Sequence, residues 1–77
     1  MSNGVILFHT TAMAMKAEKA LTREGFQVTL VPTPREFSSD CGIAVRFPWS
    51  LVEAIRPLLQ NAAVEVQAVH KLGQRKA

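Results

Sequence analysis

The sequence has one cysteine, no tyrosine and a single tryptophan among 77 residues. One cysteine cannot close an internal disulfide, nor can it run a dithiol redox cycle. A chain this short buries only ~60–65% of the surface its unfolded form exposes. Without a staple its stability is marginal, so dimerisation is an expectation. The solitary thiol fits a reducing compartment. Histidine is almost as scarce, with only His9 and His70, and no Cys-x-x-Cys pair exists. Neither a metal site nor a cofactor site is expected from so few ligands. No run of about 18 apolar residues is present, which excludes a transmembrane helix. Met1-Ser2-Asn3-Gly4 carries no basic n-region, and the apolar stretch behind it ends at His9-Thr10-Thr11. That is not the pattern of a signal peptide. The expected location is the cytoplasm.

An excess of charge is missing too, once position is considered. The formal net charge is +3, yet residues 1–70 are balanced. Lys16, Lys19, Arg23, Arg35, Arg46 and Arg56 face Glu18, Glu24, Glu36, Asp40, Glu53 and Glu65. The excess lies in Lys71, Arg75 and Lys76, on a polar C-terminal stretch expected to fray. A phosphate backbone would meet no basic field on such a body. A sheet that reads RNA needs aromatics on exposed strand positions, where the third strand offers only Ala44 and Arg46. Nucleic acid and membrane are therefore not expected partners. No nucleophile, base and acid can be assembled from the sequence, so an independent enzyme is not expected either.

What is present reads as a small α+β scaffold, one domain over residues 1–72 with a flexible basic tail at 73–77. Val5-Ile6-Leu7-Phe8 predicts a strand. Thr10 or Thr11 offers an N-cap for a helix from Ala12 to Glu24, ended by Gly25. Its core stripe is Met13, Ala17, Ala20 and Leu21. A second strand is expected over Phe26–Val31, stopped by Pro32 and Pro34. A polar loop follows from Thr33 to Asp40, then a third strand from Gly42 to Phe47. Pro48 suits a helix start, and Ser50 with Glu53 fits a capping box. Leu51, Val52, Ile55, Leu58 and Leu59 form the buried stripe of that helix, and Pro57 should kink or shorten it. Trp49 is expected in the core or at a half-buried edge. Asn61–Ala63 reads as a connector. A last strand is expected over Val64–Val69, with Val64, Val66 and Ala68 on one face.

The order strand-helix-strand-strand-helix-strand predicts a ferredoxin-like βαββαβ sandwich. Its sheet would have strand order 4-1-3-2, strands 1 and 3 parallel at the centre, and both helices on one face. The other face would be open and mixed, carrying Thr29, Val31, Ala44, Arg46, Glu65, Gln67 and Val69. It could pair with a second subunit.

The residue with distinctive chemistry is Cys41, in Ser38-Ser39-Asp40-Cys41-Gly42. A free cysteine can be a small buried hydrophobe. It can also be a sulfur nucleophile if it is exposed and its thiolate is favoured. In the expected topology Cys41 opens the third strand. His70 and Lys71 would lie at the same end of the sheet, and Arg35 would reach it from the loop. A nearby cation favours the thiolate, whereas Asp40 opposes it. Both helix N-termini would lie at the opposite end. Gly42 leaves room beside the sulfur, and Ser38 and Ser39 offer hydroxyl donors. His9 reads as a histidine bonded near the first helix cap.

Four stretches carry a resemblance: Leu7-Phe8-His9-Thr10-Thr11, Ala17-Glu18-Lys19-Ala20-Leu21, Val31-Pro32-Thr33-Pro34-Arg35-Glu36 and Ser38-Ser39-Asp40-Cys41-Gly42-Ile43-Ala44. They resemble the selenium/sulfur (Se/S) carrier protein-like family of small bacterial proteins, from residue 4 to about 72. The most specific part is Pro-Thr-Pro-Arg-Glu-x-Ser-Ser-x-Cys-Gly. The resemblance implies that Cys41 holds sulfur or selenium as a persulfide or selenopersulfide. Pro34, Arg35, Ser38, Ser39 and Gly42 match the same motif. Implied partners are a donor protein of the cysteine desulfurase type and an acceptor protein. The Cys-Pro at a helix N-terminus that marks tRNA-thiolation carriers is lacking. The alternative from another class is a non-catalytic interaction or small-ligand module. There Cys41 is structural and the proline-rich loop is a docking surface.

Overall fold

The computed structural model describes residues 2–37 and 42–72. It contains β1 (Asn3–Leu7), α1 (Thr11–Arg23), β2 (Thr29–Pro32), β3 (Ile43–Pro48), a 3-10 turn (Trp49–Leu51), α2 (Val52–Asn61) and β4 (Ala68–Lys71). The sheet order is β2-β3-β1-β4, the predicted order read from the other edge. The tail expected at 73–77 lies outside the described residues.

One prediction about the sheet is overturned. The central strands β1 and β3 are antiparallel, with Asn3 opposite Pro48 and Leu7 opposite Ala44. The reason lies in the connections. A crossover through α1 leaves β2 parallel to β1. The chain then reverses between β2 and β3, which pair antiparallel from Thr29 opposite Arg46 to Pro32 opposite Ile43. β4 is also antiparallel to β1, with Leu7 opposite Ala68 and Val5 opposite His70.

The principal core lies between sheet and helices. Ile6, Val45 and Phe47 from the sheet meet Ala14, Ala17 and Leu21 of α1 and Ile55 and Leu59 of α2, with Phe8 and Val64 closing the ends. Small alanines on α1 let it approach the strands closely. Gly4 does the same for Trp49. A Cβ on Gly4 would come within 3.0 Å of the Trp49 and Phe47 rings. Trp49 is half-buried, stacks against Phe47 at 5.8 Å, and carries the Lys71 Nζ 5.9 Å from its ring centre.

The helix ends explain where the neighbouring strands begin. Past α1, the Phe26 amide donates to the Leu21 carbonyl and the Gly25 amide to that of Thr22, with Gly25 at φ +92°. This is a Schellman cap. It uses Phe26, so β2 starts at Thr29 and not at Phe26. Past α2 the pattern repeats: Val64 donates to Leu59 and Ala63 to Gln60. Here the left-handed position is Ala63, at φ +59°. Val64 is therefore part of a cap, and β4 starts at Ala68. The expected face assignment fails for the same reason. Val64, Val66 and Val69 pack on the helix-side core, whereas Ala68 packs on the other face. The segment 64–67 precedes the strand, so the two-residue alternation counted from Val64 does not carry through to Ala68.

Ala63 predicts a measurable gain. A left-handed Cβ costs roughly 1–2 kcal/mol, and glycine returns part of that through unfolded-chain entropy. Ala63→Gly is expected to stabilise the domain by about 0.5–1 kcal/mol, read as a higher urea midpoint at unchanged slope. A lower midpoint contradicts the cap assignment.

The second helix also departs from expectation at its start. No side chain caps the 3-10 turn or α2, so the Ser50–Glu53 capping box does not form. The chain turns into the helix directly after Pro48. α2 continues past Pro57 to Asn61.

Candidate functional site

The second face of the sheet, expected to be open, is covered in part by the loop after β2. Val5, Leu7 and Ala44 on this face are fully buried, each 1% exposed or less. Val31, Phe37, Ala68 and Leu72 pack against them. Phe37 is the agent. Pro34 and Phe37 close a turn, with the Phe37 amide 3.0 Å from the Pro34 carbonyl. The Phe37 ring then stacks on His70, with centroids 4.1 Å apart and planes 6° apart. β2 and β4 are opposite edges of the sheet. The loop therefore leaves one edge and anchors on the other, across β3 and β1. Thr29, Val31, Ala44 and Arg46 belong to this face as expected, by their register. Glu65 and Val69 do not, since they line a cleft on the helix side.

The return limb is fixed as well. The Thr33 amide donates to the Gly42 carbonyl at 3.0 Å, extending the β2–β3 ladder by one step. Ser38, Ser39, Asp40 and Cys41 lie outside the described residues. Their flanks are thus a stacked ring at Phe37 and a backbone bond at Gly42. Gly42 is exposed, and no described atom lies within 4 Å of a Cβ built there. Among the described residues the fold does not require glycine at this position.

The antiparallel centre changes which groups share the end of the sheet where β3 begins. That end holds the C-terminus of β1 and the start of β4, since both Ala44 and Ala68 pair with Leu7. His9 and the N-terminus of α1 follow β1 directly and lie there too. Thr10 caps the helix, its hydroxyl accepting from the Met13 amide at 3.2 Å. The expectation that both helix N-termini sit at the far end is thus wrong for α1 and right for α2, which follows the end of β3. The first turn of a helix favours negative charge.

The predicted cations are rearranged accordingly. Lys71 pairs with Gly4 and lies over Trp49, at the opposite end from the start of β3. His70 meets the loop through Phe37 and not through the start of β3. Arg35 is exposed on the turn between Pro34 and Phe37. Phe37 was not singled out from sequence. The available signal was an aromatic residue alone in a polar loop, which demands an apolar surface.

A family model described as "Putative Se/S carrier protein-like" matches residues 3–71. The chain belongs to this family. No curated protein and no solved structure matches it. The Se/S carrier-like match spans every strand and both helices, and includes the loop with the chain's only thiol. Among the described residues of this family member, no group of three or more His, Asp or Glu could hold a metal ion. No described helix is long and apolar enough to cross a membrane.

Proposed function

We propose that the protein carries sulfur or selenium on Cys41 and hands it to a partner protein, acting as a cytoplasmic carrier and not as an independent enzyme. The observation that carries this reading is the family match over residues 3–71. It takes in the Pro-Thr-Pro-Arg-Glu-Phe-Ser-Ser-Asp-Cys-Gly run, which ends on the only thiol of the chain.

The step needs one thiol. The Cys41 thiolate attacks the outer sulfur of a donor persulfide. A new S–S bond forms at Cys41, the donor's S–S bond breaks, and the donor leaves as a thiolate. No net oxidant or reductant is consumed. Release repeats the exchange with an acceptor nucleophile. In this scheme Arg35 attracts the anionic sulfur, Ser38 and Ser39 donate to it, and Gly42 keeps the approach unobstructed. The location of α1's N-terminus at the end where β3 begins supports anion stabilisation there.

Incubating the protein with a cysteine desulfurase and cysteine tests the reading. Intact-mass analysis should show one added sulfur, removed by dithiothreitol. Protein that gains no sulfur while the desulfurase turns over would refute the carrier role.

A further inference from the structure

The helix side of the sheet is incompletely filled. α2 packs against α1 and the 3-10 turn, and a gap remains between its outer face and the connector to β4. The gap is a cleft of about 460 Å³, within the ~300–1,000 Å³ usual for small-molecule sites. Its floor is the core, with Ile6, Phe47, Ile55, Leu59 and Val64 each 7% exposed or less, and its accessible apolar walls are the half-buried Val52, Val66 and Val69, which pack against that core. Such walls are held by packing on their far side and do not need a ligand to form.

The mouth of the cleft is polar in a specific way. Arg56 and Gln60 stand on α2, one turn apart, and Glu65 faces them from the connector to β4. All three are exposed. Arg56 and Glu65 line one cleft, yet they form no ion pair with each other or with any other described residue. Opposite charges at one mouth that do not close on each other match a ligand bearing both charges.

We propose that this cleft binds a free α-amino acid with an apolar side chain. The guanidinium of Arg56 takes the carboxylate, where its fork geometry suits two parallel hydrogen bonds. The Glu65 carboxylate takes the ammonium. The side chain enters the apolar gap against the half-buried Val52, Val66 and Val69. A simple fatty acid would set its carboxylate beside Glu65, and an alkylamine would set its cation beside Arg56. Only the zwitterion satisfies both. The proposal is independent of Cys41 and its loop.

The test is an NMR titration of the full chain with L-leucine and two truncated analogues. These are 4-methylpentanoate, which lacks the ammonium, and 3-methylbutylamine, which lacks the carboxylate. Leucine should give saturable amide shifts centred on Val52, Val66 and Val69. Each analogue should bind at least about tenfold more weakly, since each leaves one charged partner unsatisfied. Arg56→Gln should weaken leucine and abolish the preference over 3-methylbutylamine. Glu65→Gln should do the same relative to 4-methylpentanoate. Both positions are exposed, so the variants should fold as the wild type does. Equal affinity for all three ligands, shifts away from the cleft, or no saturation at millimolar leucine each overturn the proposal. Cleft shifts that depend on protein concentration alone would assign the cleft to a second copy of the chain, and also overturn it.

Discussion

Phe37→Ala is expected to lower the stability of the domain by about 2–3 kcal/mol, below the ~3–5 kcal/mol of a fully buried phenylalanine because Phe37 is half-buried. The loss has two sources. Truncation uncovers Val5, Leu7 and Ala44, which are buried beneath the ring. It also removes the parallel stack on His70, a kind of contact worth ~0.5–1.5 kcal/mol beyond area. Phe37→Leu separates them, since leucine keeps most of the apolar cover and loses only the stack. A domain of this length has roughly 4–12 kcal/mol in total, so the alanine variant should still fold. Urea denaturation of the two variants, with His70→Ala to close a double-mutant cycle, measures both contributions. A loss under about 0.5 kcal/mol for Phe37→Ala, the size of an ordinary surface change, would show that the loop does not cover the sheet.

Cys41→Ser is expected to abolish sulfur loading completely while the urea midpoint stays within about 0.5 kcal/mol of wild type. The thiolate is the attacking species in persulfide exchange, and a serine hydroxyl offers no equivalent at neutral pH. No second thiol can substitute, because the chain has only one. Equal loading of variant and wild type would place the sulfur elsewhere. A large fall in stability would instead make Cys41 a packing residue and favour an interaction module.

The scaffold was legible in the sequence because its elements are punctuated by local chemistry. Thr10 and Gly25 bracket α1, Pro48 precedes the turn into α2, and the apolar stripes of both helices follow the helical period. Strand order followed from the order of elements. Strand boundaries did not, for a reason visible at Phe26 and Val64. Both read as strand starts by residue type, and both are spent sealing the preceding helix. The connector at Ala63 gave no glycine to betray the second cap. The relative direction of β1 and β3, and with it the neighbours of the Cys41 loop, is a property of the whole connection path. Crossovers and reversals must be counted along the chain to assign it, and no single residue encodes it. The cover of the second face was hidden because Phe37 contacts His70, far away in sequence. The thiol, Arg35, the serines and Gly42 were legible only as a motif. Periodicity carries no information about a polar loop.

The most direct measurement is the rate of Cys41 alkylation by iodoacetamide in the native protein, taken from about pH 5 to about pH 10 and compared with the free-thiol midpoint of ~8.5. A carrier requires a thiol that is accessible and enriched in thiolate, so the account predicts fast native-state alkylation with a midpoint below the free value. A thiol that reacts only after denaturation would contradict it, and Cys41 would then be a core residue.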